Sequence, residues 1–104
     1  MIVEQRDYHV YTGKLADLVR MYAEEGIAIQ QEILGGLIAA FTTDVGALST
    51  YTSMWGYDSF AEREERRAKL QADDRWVAFL ARIQPLIHTQ SNRILVPTSF
   101  SPLH

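Results

Sequence analysis

The sequence predicts an α+β fold in which one antiparallel sheet is covered by helices on one side. The residues of Thr50–Tyr57 alternate as in a strand, with the large side chains of Tyr51 and Trp55 on one face. Directly afterwards, Ser59 and Glu62 have the spacing of a capping box, which begins a helix. Elements predicted in the same way follow one another in the order strand, helix, strand, strand, helix pair, strand.

The first strand is predicted over Ile2–Tyr11, where residues of high β propensity alternate between two faces. One face carries Ile2, Glu4, Arg6, Tyr8 and Val10. The next segment begins after Gly13 and is predicted to be a helix, because its apolar residues recur at i, i+3, i+4 and i+7. We expect Gly26 to break or bend this helix, with helix or loop over Ile27–Ile33.

The second and third strands are predicted to form a tight antiparallel hairpin. The second strand is Leu37–Thr43, with Leu37, Ala39 and Phe41 on one face, and Asp44–Gly46 supply the turn. The third strand is expected to begin near Ala47 or Leu48.

A charged helix is predicted over Phe60–Ala72, and a second helix from Asp73 or Asp74. The apolar stripe of the second helix extends to Ile87, although Pro85 predicts a kink. Strand Ser91–Val96 follows, and residues 98–104 form a tail that either lies on a partner or is loose. This order is the ferredoxin-like, split β-α-β pattern, whose first and third strands lie at the sheet centre.

Composition restricts the class of protein. A chain of 104 residues makes a single domain, 1–104, and its net charge of -3 gives no basic surface for nucleic acid. The absence of cysteine excludes disulfides and thiolate chemistry. No apolar run approaches the roughly 20 residues that span a bilayer. We therefore expect a soluble cytoplasmic protein without a membrane span.

The sheet is expected to pair with a second copy of the chain. The face without helices should be polar if it meets water, but apolar residues such as Ile38 and Met54 lie opposite others such as Ala39 and Trp55. Both faces are therefore predicted to be covered, which predicts a homodimer packed sheet to sheet.

Several motifs resemble the NIPSNAP family across almost the whole chain. They are the opening run Val3–Tyr8, the hairpin Phe41–Leu48, the strand end Trp55–Ser59, the arginine-rich helix, and Gln90–Leu95 followed by Pro97. The resemblance implies a dimeric alpha-beta barrel, the fold shared with small antibiotic-biosynthesis monooxygenases and haem-degrading monooxygenases. The NIPSNAP family has no agreed catalytic activity and no agreed catalytic residues, so the resemblance predicts neither. The animal members of the family are associated with mitochondria and with protein interactions.

Charged and aromatic residues on the strands are the candidates for a ligand pocket. In this hypothesis Arg6 holds an anionic or carbonyl ligand and Glu4 sets the charge balance. The alternative is a Glu4–Arg6 ion pair that completes the core, with the aromatics as ordinary core or interface residues. The candidate pocket comprises Glu4, Arg6, Tyr8, Tyr51, Trp55, Tyr57 and Arg93, and Asn92 is a further candidate on the last strand.

No cofactor or metal is expected. The histidines His9, His88 and His104 lack a second ligand at metal-binding spacing, and His88 is predicted near a helix end, where the helix dipole favours a surface histidine. Two functions remain open. The first is a NIPSNAP-like dimer that binds a small hydrophobic or anionic ligand or another protein, and the second is a cofactor-free monooxygenase acting on an aromatic or hydrophobic substrate. The enzyme requires a dry pocket of about 300 Å³ or more, with Arg6, Tyr8 or Trp55 pointing into it.

Overall fold

A computed structural model describes residues 1–104. The chain forms an α+β fold, with a four-stranded antiparallel sheet covered by helices on one side. The strands are β1 (Ile2–Val10), β2 (Leu37–Thr42), β3 (Thr50–Tyr57) and β4 (Ile87–Leu95), in the spatial order β2-β3-β1-β4. The predicted ferredoxin-like topology is confirmed, with the first and third strands at the centre.

The first helical segment passes through Gly26 instead of ending there. It consists of α1 (Leu15–Met21), a π-helical turn (Tyr22–Gly26) and α2 (Ile27–Leu34). A Cβ atom at position 26 would lie 2.3 Å from Cζ of Phe79, so the missing side chain makes room for that ring. Gly26 is therefore a site of close helix packing, not the end of the helix.

The hairpin differs from its predicted form in two ways. The connection is longer, since β2 ends at Thr42 and β3 begins at Thr50. A β-bulge also shifts the register, so that Leu37 pairs with Trp55 but Ala39 pairs with Met54. The predicted grouping of Leu37 with Ala39 and Phe41 was wrong, because the bulge places Leu37 on the helix-covered face and the other two on the opposite face.

Side-chain caps begin the next two helices as the sequence predicts. The Ser59 hydroxyl accepts a hydrogen bond from the Glu62 amide at 3.1 Å at the start of α3 (Phe60–Gln71). The Glu62 carboxylate accepts from the amide of Asp58, one residue before the cap. The Asp73 carboxylate caps α4 (Asp74–Ile83) by accepting from the amides of the residues at 75 and 76.

The helix ends earlier than its apolar stripe suggests, and β4 begins earlier than predicted. A 3-10 turn over Gln84–Leu86 contains Pro85, and Ile87 then pairs with Val10 on β1. His88 therefore lies on β4, with its ring centroid 4.9 Å from that of Tyr11. Its predicted place at a helix end was wrong, because the chain turns into the sheet directly after the proline.

The core fills the space between the sheet and the helices. Leu18, Leu34, Trp55, Leu70, Phe79 and Ile83 are fully buried there. Tyr22 stacks on Tyr51 at a centroid distance of 5.0 Å and meets Phe79 edge-on. The helix layer and the sheet are thereby joined by aromatic contacts.

The opposite face, which we call the open face, is partly covered by the tail. Ser101 and Leu103 line a cavity of about 230 Å³ together with Val3 and Met54 of the sheet. The tail thus folds back onto its own sheet. The sequence predicted instead that it would lie on a partner or be loose. The middle of the open face is polar, with a hydrogen bond of 2.6 Å from the Thr52 hydroxyl to the Asp7 carboxylate.

Candidate functional site

A buried carboxylate lies at the centre of the candidate site. Glu4 is on the helix-covered face of β1 and has no exposed surface. A buried charge is costly unless it is paired and hydrogen-bonded. The neighbours of Glu4 meet this requirement from three different elements, which are β1, α3 and β4.

Arg63 and Asn92 hold this carboxylate from α3 and β4. Arg63 donates from Nε to Oε1 at 3.2 Å and from Nη2 to Oε2 at 2.8 Å, the two-pronged geometry that suits a guanidinium and a carboxylate. Asn92 donates from Nδ2 to Oε2 at 2.8 Å. These bonds connect the helix, the central strand and the edge strand at one point.

Arg6 forms the third contact and also borders a cavity. Its Nη1 donates to Oε2 of Glu4 at 3.1 Å, and its Nε donates to the Tyr8 hydroxyl at 3.3 Å. The predicted Glu4–Arg6 ion pair is therefore present. The cavity has a volume of about 200 Å³ and is lined by Arg6, Gln90, Ser91 and Asn92, all of them polar.

Arg67 is the fourth charged group of the cluster. It is half-buried, one helical turn after Arg63 on α3, and it forms no ion pair. Burial, and then the positive charge of Arg6, lower its pKa, while the charge of Glu4 acts in the opposite direction. Three guanidinium groups thus surround one carboxylate.

The cluster keeps Glu4 ionised. Burial by itself raises the pKa of this carboxyl group, but the hydrogen bonds from Arg63 and Asn92 and the charges of Arg6 and Arg67 outweigh it and lower the pKa to about 2. At neutral pH the site therefore contains one negative and three positive charges.

Tyrosine hydroxyls extend the polar cluster into the core. Burial, followed by the neighbouring Tyr8, raises the pKa of Tyr51 to about 12, so its phenol is a neutral donor. The hydroxyl groups of Tyr22 and Tyr57 are buried without a hydrogen-bond partner. Burial and then Glu4 raise the pKa of Tyr57, and Arg67 and Arg63 oppose this effect.

The structure brings six of the seven candidate residues together on the helix-covered face. They are Glu4, Arg6, Tyr8, Tyr51, Trp55 and Tyr57. Arg93 is separate, because it pairs with Gln5 and therefore points to the open face, while the adjacent Asn92 bonds to Glu4. Trp55 is fully buried, and its indole Nε1 donates to the Ser53 hydroxyl at 3.1 Å.

Sequence reasoning missed the roles of Arg63 and Arg67. The sequence identifies this segment only as a charged, arginine-rich helix and assigns neither residue to the site. The spacing of Arg63, Arg67 and the fully buried Leu70 at i, i+4 and i+7 was the available signal, because it places all three on the helix face that meets the sheet.

The cavities do not meet the requirement stated for an enzyme. The one beside Arg6 is lined by one of the three named residues, Arg6 itself, but its volume of about 200 Å³ is below the required size. An apolar cavity of about 180 Å³ lies between the first helical segment and β2, lined by residues such as Val19 and Ala40. No three His, Asp or Glu side chains are grouped as metal ligands, and no helix has the length and apolarity to cross a bilayer.

Comparison with known proteins gives the family. The NIPSNAP family matches residues 3–102 of the chain. This chain belongs to the NIPSNAP family. The resemblance seen in the sequence motifs is therefore confirmed.

Two similar proteins with NipSnap names are animal proteins. The Drosophila melanogaster protein NipSnap is 34% identical over 102 residues, which cover 97% of this chain and 36% of that protein. Human protein NipSnap homolog 3A is 37% identical over 67 residues, 64% of this chain and 27% of that protein. The chain thus spans only about a third or less of the length of these relatives.

Solved structures of bacterial NIPSNAP proteins superpose on nearly the whole chain. One from Agrobacterium tumefaciens is 52% identical with a TM-score of 0.97, covering 99% of this chain and 98% of its own. A second from that organism, described as having unknown function, is 38% identical with the same TM-score and covers 100% and 94%. An antibiotic biosynthesis monooxygenase shares only the fold, at 11% identity and a TM-score of 0.67 over 94% of this chain and 99% of its own.

Proposed function

We propose that this NIPSNAP domain binds a small molecule in the cavity beside Arg6 and acts as a homodimer. The observation that carries the ligand proposal is the position of this cavity next to a buried cluster of three guanidinium groups and one carboxylate. Buried charge clusters with shifted pKa values are more frequent at functional sites than elsewhere. No catalytic step is part of the proposal.

A purely structural role accounts for only part of the cluster. The bonds of Glu4 to Arg6, Arg63 and Asn92 would stabilise the packing of α3 on the sheet in any case. They do not account for Arg67, which has no anionic partner, or for a polar cavity that opens at the end of Arg6. A bound ligand would account for both the position of Arg67 and the polar cavity beside Arg6.

The homodimer proposal rests on the open face and on β4. Apolar side chains on or beside that face are exposed, including Phe41 at 55% and Leu95 at 38%. β4 is exposed along most of its nine residues, which leaves a long free edge strand. The molecule is a slab of 40 × 35 × 20 Å, so its broad face is large enough for the roughly 800 Å² per partner of a stable interface.

Blocking the cavity tests the ligand proposal. A small-molecule library would be screened by thermal shift against the wild-type domain and against Gln90→Phe, which places a ring in the cavity mouth. Val77→Phe is the matched control, because Val77 is exposed on α4 in the helix layer and does not line this cavity.

We expect compounds that stabilise the wild type and the control but not Gln90→Phe. Hits that stabilise all three proteins equally would contradict the proposed site. The absence of any hit on the wild type would contradict ligand binding itself.

A further inference from the structure

The carboxylate of Glu4 is already hydrogen-bonded by two arginines and one asparagine. Its Oε2 accepts from Arg6, Arg63 and Asn92 at 3.1, 2.8 and 2.8 Å, and its Oε1 accepts from Arg63 at 3.2 Å. A carboxylate offers about four lone-pair sites in all. Arg67 forms none of these bonds, and one negative charge therefore serves three guanidinium groups.

The position of Arg67 is costly for the folded protein. Its guanidinium is half-buried, close enough to Arg6 for the two positive charges to disfavour each other, and without a carboxylate within ion-pair distance. The attraction of Glu4 offsets only part of this cost, since burial and the charge of Arg6 together still lower the pKa of Arg67. Residues that reduce stability in this way are frequent where a ligand needs them.

Unused hydrogen-bonding groups lie on the cavity side of the cluster. Arg6 uses Nη1 for Glu4 and Nε for Tyr8, so its Nη2 has no acceptor within the protein. Asn92 uses Nδ2 for Glu4, which leaves its Oδ1 as an acceptor. Gln90 adds a side-chain amide on the same wall. The β1 side of the cavity thus offers the guanidinium edge of Arg6, and the β4 side offers the side-chain amides of Gln90 and Asn92.

We propose that the cavity beside Arg6 binds a small polar carboxylic acid, and that its carboxylate, bound by Arg6, supplies the negative charge that Arg67 lacks. This inference rests on the proposed ligand-binding function and names the class of ligand. A planar carboxylate matches the edge of a guanidinium group. The lining contains no apolar side chain, so it favours a hydroxy, oxo or dicarboxylic acid over a hydrophobic molecule.

The lining also favours a carboxylate over a phosphate. Phosphate sites commonly use backbone N–H groups at a helix N-terminus or a glycine-rich turn. The residues here come from two strands, β1 and β4, and they offer side-chain donors and acceptors.

Malonate is a suitable probe, with malonamide as its uncharged counterpart and inorganic phosphate as a competing anion. Calorimetric titration at low ionic strength would use the wild type, Arg67→Met and Arg20→Met. The last variant is the matched control, because it removes an equal charge from an exposed position on α1. We expect malonate to bind the wild type and the control alike, malonamide not to bind, and Arg67→Met to bind malonate at least tenfold more weakly.

A second readout distinguishes a ligand-binding role of Arg67 from a structural one. Without ligand, Arg67→Met should unfold at the same temperature as the wild type or higher, because it removes a charge whose burial and repulsion by Arg6 outweigh its attraction to Glu4. A structural role would instead lower that temperature. Unchanged malonate affinity in Arg67→Met, equal binding of malonamide, or phosphate binding as tight as malonate would each overturn the inference.

Failure of this inference can be separated from failure of the proposed function. If malonate does not bind but an uncharged library compound occupies the cavity, the carboxylate assignment is overturned and ligand binding stands. If neither binds, both are overturned.

Discussion

Arg63 on α3 donates two hydrogen bonds to the fully buried carboxylate of Glu4 on β1, at 2.8 and 3.2 Å. The two residues are 59 positions apart in the sequence, so this pair fixes the helix on the sheet. The same contact leaves Arg67, one turn further along the helix, facing the cluster without a carboxylate of its own. The Arg63–Glu4 ion pair therefore stabilises the fold. Because Glu4 is the acid that Arg6, Arg63 and Arg67 share, the cluster keeps a surplus of positive charge.

Removing Arg63 should destabilise the fold. In Arg63→Met, two charge-assisted hydrogen bonds are lost from a buried carboxylate, and we expect the free energy of unfolding to fall by about 2–4 kcal/mol. Chemical denaturation measures this change. Lys69→Met on the same helix is the control, because its ion pair with Glu65 is exposed and should contribute less than about 1 kcal/mol. Equal effects of the two substitutions would contradict the structural role of Arg63.

Acid should weaken the fold through Glu4. Its pKa is about 2 in the folded protein and near the usual 4.5 when unfolded, so its stabilising contribution is complete above pH 4.5 and is lost as the pH falls towards 2. The shift corresponds to a contribution on the order of 3 kcal/mol. We expect the stability difference between wild type and Glu4→Gln to shrink over this pH window, as measured by urea denaturation. A difference that stays constant from pH 6 to pH 2.5 would contradict the assignment.

Gly26 should tolerate no side chain while Phe79 is present. The added methyl group of Gly26→Ala would lie 2.3 Å from Cζ of the ring, and overpacking of this kind costs about 1–3 kcal/mol. Phe79→Leu removes the ring atoms concerned, so the alanine should cost less in that background. A double-mutant cycle by thermal denaturation measures the coupling. Additive effects would show that the ring does not limit this position.

An acidic residue on the open face should disrupt the proposed homodimer. Light scattering after size exclusion should give twice the chain mass for the wild type and a smaller mass for Phe41→Asp. Val77→Asp is the matched control, because Val77 is exposed to a similar extent, 53% against 55%, but lies on α4 in the helix layer. A wild type that stays monomeric at micromolar concentration would contradict the proposal.

The fold could be predicted because local signals agreed with one another. Alternation along β1 and β3, the cap at Ser59 and the apolar stripe of α4 each reflect a rule that acts over a few residues. The bulge between Leu37 and Ala39 could not be predicted, because it depends on how β2 meets its neighbour. The place of His88 was missed because apolar residues beyond Pro85 continue the helical spacing by coincidence.

The site was predictable only in part, for a physical reason. Glu4 and Arg6 stood out because charges in a central strand require partners. Their partners lie far along the chain, and only the tertiary structure shows that Arg63 and Asn92 reach the same carboxylate. Arg93 was assigned to the same pocket as Asn92, although neighbouring strand residues point to opposite faces.

The most direct test of this account is the pKa of Glu4 itself. Carbon-13 NMR of its side-chain carboxyl carbon during acid titration of the folded domain would report it. We expect a value of about 2, because the hydrogen bonds from Arg63 and Asn92 and the charges of Arg6 and Arg67 stabilise the ionised carboxylate. A value at or above the usual 4.5 would contradict it, because the charge cluster would then not exist as described.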